Sequence, residues 1–412
     1  MMHILVIATL DTKGVEAAFI CEKIHQKGGQ PILADPGTLG KAEGNPEITR
    51  HQIAKAAGYT LDEILSKGDK GFTQTTMIAG LISIVQEMYA QGMINGIISI
   101  GGGQGTAIAT AVMKTLPVGI PKVMVSTVAN GKSTFGPYVG TKDVTMIHSV
   151  ADISGLNFIT RRIFSQAAAA VVAMAETRLD AAAASDLPLI AVTAAGVTTP
   201  GVMKVKQLLE GSGYEVIVFH CNGIGGQSME ELIREGIITG VIDFSPHEII
   251  DLLYDGLMPA LPGRMTTAGD MGIPQIVLPG CADMLLYEWR DDFPAALLER
   301  DYVRHTPTHT HFRTTYEEMY AVAEYVASHL NDGKGPRAAV VPLGGYSMLN
   351  RPGEPLWDAH ANKGYLDGLK ALLDDDIPLV EDPAHINDPA LAEHVVALFN
   401  QMRDQYLQEK TK

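Results

Sequence analysis

Cysteine, tryptophan and basic residues are all scarce in this chain. Three cysteines, Cys21, Cys221 and Cys281, are scattered over 412 residues. They follow no ligand spacing, which argues against a disulfide scaffold and a cysteine metal motif and fits a reducing compartment. Lysine and arginine number 31 against 47 aspartates and glutamates, a formal charge of −16. A surface that acidic repels a phosphate backbone, so no nucleic-acid partner is expected. Long apolar runs are missing too. The first is cut by Asp11 and Lys13 before a signal-peptide core can form, and the nearest to membrane length, 167–175, reads as a buried helix. These absences point to a cytoplasmic protein with no membrane partner.

What is present is the alternation of a layered α/β protein. Apolar residues make up 46% of the chain, and its length suits two or three domains. Short β-branched runs over 3–9, 31–35, 96–100 and 122–128 alternate with helical stretches over 15–27, 75–91 and 158–178. That alternation implies parallel sheets covered by helices on both faces. An alanine-rich polar stretch over 181–187, stopped by Pro188, reads as a linker. The expected domains are therefore 1–185 and 186–412. The second half restarts in the same way, with runs over 189–193, 215–220, 240–244, 275–278, 338–342 and 377–380. A shift of 185 places Ile4 on Leu189, Gly28 on Gly213 and Ile32 on Ile217. The expected fold class is two Rossmann-like, doubly wound domains with an interdomain cleft. A final amphipathic helix over 389–407 is free to dock on the first domain or on a second subunit.

The strongest local feature is Gly101-Gly102-Gly103-Gln104-Gly105-Thr106, placed where a strand ends and a helix begins. Glycine lets a ligand approach the backbone, and free amides at a helix start bind phosphate or carboxylate. The spacing is neither a P-loop nor a dinucleotide fingerprint. A tight turn is the plain alternative, but four glycines in five residues exceed what a turn needs. Thr9-Leu-Asp-Thr-Lys-Gly14 closes the first strand. Asp11 and Lys13 there suit a metal, a ribose or a phosphate, while capping by Asp11 or Thr12 with a solvated Lys13 explains them equally well. Ser126 and Thr127 add hydroxyls at the same edge.

In the second half, several strands end in polar or glycine-rich turns. Those turns hold Thr198 and Thr199, His220 with Gly225 and Gly226, Ser245 to Glu248, and Gly280 with Asp283. His220 and Glu248 are the candidate acid–base residues. Thr198, Thr199, Gly225, Gly226, Gly280 and Asp283 are candidates for holding substrate, with Arg313 as the carboxylate clamp. His305, His309 and His311 resemble a metal cluster, but without a partnering cysteine or glutamate a solvated or core-flanking segment is the better reading. No signature supports Cys281 as a nucleophile.

With these residues the chain resembles a family of uncharacterised bacterial and fungal proteins that includes the N-terminal, ATP-binding inhibitory domain of the tomato resistance protein against tomato mosaic virus. The resemblance runs over nearly the whole chain. It is carried by Thr9–Gly14, Gly101–Thr106, Val125–Thr127, Asp152, Gly155–Asn157, Gly196–Pro200, Gly213–Val216, Val218–His220, Gly225-Gly226, Gly272–Gln275, Pro279-Gly280, Asp283-Met284 and Arg313–Thr315. The chain departs from the family pattern at Lys132, where an acidic residue is usual, and at Cys281, where alanine is usual. It departs again at His309 and His311, where aliphatic residues are usual. The resemblance implies two Rossmann-like subdomains, ATP with Mg2+ as cofactor, and a homodimer. Taken with the strand-end turns read above, it leads to an expected ATP site on Asp11, Thr12, Lys13, Gly101, Gly102, Gly103, Gly105, Thr106, Ser126 and Thr127. An acidic small metabolite is expected near His220 and Arg313, turned over by ligation, phosphoryl transfer or lysis. A non-catalytic, nucleotide-responsive binding or inhibitory protein is the alternative.

Overall fold

The computed structural model describes residues 2–129, 135–177 and 186–411. Lys132 and the 181–185 part of the alanine-rich stretch lie outside these residues. The chain divides into two compact units, Met1–Ala183 and Ala184–Lys412.

The first unit is a parallel sheet of β1 (Met2–Ile7), β2 (Gly29–Ala34), β3 (Gly96–Gly101), β4 (Lys122–Ser126) and β5 (Val144–His148). Their order is β2-β1-β3-β4-β5, and every neighbouring pair is parallel. Both faces of β1 are apolar because both are covered. Ile4 and Val6 face helices Leu10–Gln26 and Phe158–Glu176, while Leu5 and Ile7 face helices Arg50–Ala56, Lys70–Ala90 and Gly103–Met113. Phe158–Glu176 is long and apolar enough to cross a membrane, but its Phe164, Ala167, Ala168 and Val171 are fully buried against this sheet.

The second unit holds six parallel strands: β6 (Leu189–Ala194), β7 (Glu215–His220), β8 (Gly240–Asp243), β9 (Gln275–Val277), β13 (Arg337–Pro342) and β14 (Leu379–Asp382). Their order is β14-β13-β9-β8-β6-β7. Both parallel sheets are Rossmann-like. The sequence reading missed a separate antiparallel sheet of β10 (Met284–Tyr287), β11 (Tyr302–Arg304) and β12 (Thr310–Arg313), ordered β10-β12-β11. Its strands have only three or four residues, too few for an alternating pattern to stand out. The last helix, Pro389–Lys410, is corrected as well. Leu391, Val395 and Phe399 recur every four residues and bury against Val205, Leu209 and Ile242 of their own unit.

In each unit the chain leaves the first strand to one side and returns on the other. The switch point lies between β1 and β3 in the first unit and between β6 and β8 in the second. Helices following such strands diverge and leave a crevice outside the carboxyl ends, where ligands of this architecture bind.

Candidate functional site

In the first unit, Gly101 closes β3 and Gly102 caps helix Gly103–Met113. A Cβ at Gly101 would lie 2.8 Å from the Gly105 Cα, so glycine is required there for the turn to fold back on itself. Gly103 is different: a Cβ there meets nothing within 4 Å. The first bond of the helix is Thr106 N–H to Gly102 O at 2.8 Å. The amides of Gly103, Gln104 and Gly105 precede it and are the orphan donors of the helix start. Gly103 and Gln104 are exposed. This turn sits at the switch point between β1 and β3.

The surrounding hydroxyls build the turn. Thr106 and Ser126 are fully buried and share a hydrogen bond of 2.7 Å, and Ser126 Oγ also accepts from Val128 N. Thr127 N donates to Gly101 O, and Thr127 Oγ1 lies 3.6 Å from the Cβ position of Gly102. Ser126 and Thr106 therefore position the glycines, and the half-buried Thr127 stands beside them.

Asp11, Thr12 and Lys13 fall out differently. The helix cap is Thr9, not Asp11 or Thr12. The Asp11 carboxylate accepts from Leu39 N at 2.8 Å and faces Arg50 at 3.7 Å. Arg50 in turn pairs with Asp35 at 2.8 Å and donates to Leu39 O and Gly40 O. Asp11 thus ties down the 35–40 loop through one carboxylate oxygen, which explains its side chain being 5% exposed. Thr12 is exposed, and Lys13 donates only to Thr12 O at 3.3 Å in the described contacts, where its backbone breaks helical geometry (φ −131°, ψ 19°). Its ammonium is the lysine or arginine cation nearest in sequence to the β1 end.

In the second unit, several residues predicted to bind or catalyse turn out to hold the fold. Glu248 is fully buried; one oxygen accepts from Arg264 Nε and the other from Gly223 N at 2.7 Å. Arg264 also grips Asp243 with both terminal nitrogens, at 2.7 and 2.6 Å, and Glu230 at 3.1 Å. Burial opposes its charge, but Asp243 and Glu248 outweigh that and hold the guanidinium well above its ordinary range. Glu248 has no oxygen left for a substrate, so its assignment as an acid–base residue is withdrawn. A Cβ at Gly226 would stand 1.8 Å from Glu248 Oε1, and one at Gly225 would stand 1.9 Å from His220 O. One at Gly280 would lie 2.2 Å from Phe244 O. Close packing is what requires glycine at these positions.

Arg313 is corrected for the same reason. Its terminal nitrogens donate to Asp283 O, Thr314 Oγ1, Asp358 O and Asn362 Oδ1 at 2.6–3.1 Å. It ties β12 to helix Ala359–Leu372 and has no fork to offer a carboxylate. Thr198 is buried and shares a 2.6 Å hydrogen bond with Ser245. Thr199 is exposed, with its hydroxyl donating to Gly196 O. Asp283 is buried; one oxygen accepts from Ser347 at 2.8 Å and the other has no partner among the described residues. Burial raises its carboxyl against the pull of Arg313.

His220 stands apart from these. It is exposed and lines a pocket of ≈ 200 Å³ at the carboxyl ends of β6–β9. Four more histidines converge there: His247, after β8, and His305, His309 and His311 from the β11–β12 hairpin. The sequence reading took that hairpin for a solvated or core-flanking segment, because only the fold brings it to the strand ends. The His305 and His311 rings stack 5.1 Å apart at 17°. Burial and the neighbouring imidazoles press His311 down to about 4, so its ring is neutral at pH 7, and its buried Nδ1 has no partner among the described residues. His247 behaves in the opposite way. Burial acts against its cation, but Asp251, 3.5 Å away, outweighs it and lifts the ring to about 9.

Met258, Met284 and Leu286 supply the apolar wall, and Cys221 and Cys281 the remaining sulfur. Burial pushes both thiols well above their usual range, so they stay neutral. Among the described residues, no group of three or more His, Cys, Asp or Glu side chains is placed to hold a metal ion. The pocket can bind and exchange protons through imidazoles, and it contains no carboxylate in its lining.

Comparison with known proteins comes to the same two-part division. Residues 2–180 match the N-terminal domain, and 187–403 the C-terminal domain, of an uncharacterised protein family designated UPF0261. A UPF0261 protein of Clostridium tetani is 40% identical over 94% of this chain and 96% of its own. One from Rhizobium meliloti is 34% identical over 97% and 98%. The ToMV susceptible protein tm-1(GCR26) of Solanum lycopersicum is 32% identical over 97% of this chain but only 56% of that protein. Among solved structures, UDP-GlcNAc 2-epimerase from Methanocaldococcus jannaschii covers 97% of this chain and 100% of its own, at 10% identity and a TM-score of 0.23.

Proposed function

Because this chain belongs to the UPF0261 family, whose activity is uncharacterised, we propose from its own geometry that it is a nucleotide-binding protein and an enzyme of small acidic metabolites. The observation that carries this reading is the β3 turn: three orphan amides, Gly103 to Gly105, at the switch point of a parallel sheet. Such amides favour phosphate because their partial positive charge is fixed in place before the ligand arrives. The family resemblance points to ATP as the nucleotide. Lys13 would swing from Thr12 O to the phosphates. Mg2+ would arrive on the phosphates themselves, since Asp11, the carboxylate the sequence offered for it, is engaged by Arg50 and Leu39. The His220 ring, with no hydrogen bond among the described contacts, is the group to carry a proton in the second unit. The same resemblance implies a homodimer or larger, which a monomeric mass by light scattering would remove, and the scarcity of cysteine points to the cytoplasm.

The test exploits the open space at Gly103. Gly103→Val adds a branched side chain whose Cβ meets no protein atom within 4 Å, so the variant is expected to fold and to lose ATP binding by calorimetry. Lys13→Ala is expected to cost about 1–3 kcal/mol of affinity, the range of a charge-assisted hydrogen bond. Equal affinity in wild type and Gly103→Val moves the nucleotide elsewhere.

A further inference from the structure

The histidine pocket of the second unit has a second source of anion-binding donors. The turn after β6 runs through Gly196–Thr198 into helix Thr199–Gly211, and its first bond is Thr198 N–H to Ala195 O at 3.0 Å. The amides of Gly196 and Val197 precede that bond, and both residues line the pocket. Independently of this helix start, His311 lines the same pocket at 9% exposure with its Nδ1 unpartnered among the described residues. In a chain of charge −16, a pocket whose lining carries imidazoles and no carboxylate is an electrostatic exception. Its ≈ 200 Å³ falls below the about 300–1,000 Å³ of drug-sized sites, so its ligand is short. The wall of Met258, Met284 and Leu286 calls for an apolar body, which phosphate lacks.

We propose that this pocket binds a small organic carboxylate with a short apolar tail, its oxygens held by the Gly196 and Val197 amides and the imidazoles of His220 and His309. The tail lies on Met284 and Leu286. The proposal deepens the reading of the second unit as the holder of an acidic metabolite and does not depend on the nucleotide site, so it is tested without nucleotide.

The experiment titrates the full chain, labelled with 15N glycine, valine and histidine, with three probes: butyrate, butanamide and inorganic phosphate. Butyrate is expected to shift the Gly196 and Val197 amides and the His220 ring saturably. Butanamide, the same shape without charge, is expected to bind about tenfold more weakly or worse, matching the loss of a hydrogen bond to a charged group. Phosphate is expected not to saturate these signals. Gly196→Val, whose added Cβ meets nothing within 4 Å, should weaken butyrate about tenfold at unchanged melting temperature. His309→Leu should weaken butyrate too and keeps the test open if the glycine variant misfolds. The proposal is overturned if butyrate leaves these signals in place, if butanamide binds as well, if phosphate saturates them more tightly, or if both variants bind like wild type. ATP binding lost at Gly103→Val with butyrate binding kept would show the two sites to be separate. The reverse pattern, ATP bound and butyrate ignored, would sink the carboxylate site and spare the nucleotide reading.

Discussion

Residue types that announce chemistry in a sequence often announce architecture in a fold, and Glu248 and Arg313 are the cases here. Both sit at strand ends, where catalytic groups collect, and both are consumed by partners remote in the chain. Arg264 is 16 residues from Glu248, and Asn362 is 49 from Arg313. No local pattern announces such pairs. The histidines ran the other way: His309 and His311 read as a solvated or core-flanking segment, because His220 lies about ninety positions earlier in the sequence. The usable signal was that His220 and His247 both follow parallel strands, so a third histidine group folding back to that rim would meet them. His247 gives a measurable consequence. Its folded value near 9 lies above the ordinary 6.5, so its stabilisation is complete below about pH 6.5 and is lost as pH rises through about 9. The shift corresponds to something on the order of 3 kcal/mol. Urea midpoints at pH 6.5 and 9.5 should therefore differ by more in wild type than in His247→Gln; equal differences would mean that Asp251 does not hold the charged ring.

At the scale of elements, the strands were legible because parallel strands covered on both faces are short unbroken apolar runs. β1, β3, β4, β6 and β8 all read that way, and so did the junction of β3 with its helix. The antiparallel hairpin did not, since β11 offers three residues with two exposed. The glycine loop was legible as a loop, but the division of labour within it was not. Gly101 is required by contact with Gly105, whereas Gly103 has no steric neighbour. Gly101→Ala should then destabilise the protein by about 1–3 kcal/mol, the cost of forcing an atom into a packed site, while Gly103→Ala stays close to wild type. Thermal melts of the two variants decide this. Similar melting temperatures would mean that the turn relaxes freely and that its glycines are not divided between packing and ligand.

The whole molecule is two units built on one plan. Each begins with the strand order second-first-third-fourth-fifth, and each has its own buried cores. The shift of 185 that aligns Ile4 with Leu189 now has a structural counterpart, since both residues lie in the first strand of a unit. The units differ at their switch points: one carries a bare glycine turn, the other a pocket crowded with imidazoles. The proposed division of a phosphate site in the first unit from an imidazole site in the second rests on that difference. It is tested most directly by titrating 15N-glycine-labelled protein with ATP. The Gly103 and Gly105 amides are expected to shift saturably while Gly196, in the second unit, stays in place. Saturable shifts elsewhere with Gly103 and Gly105 unmoved, or no shifts at all, would contradict a nucleotide site in the β3 turn.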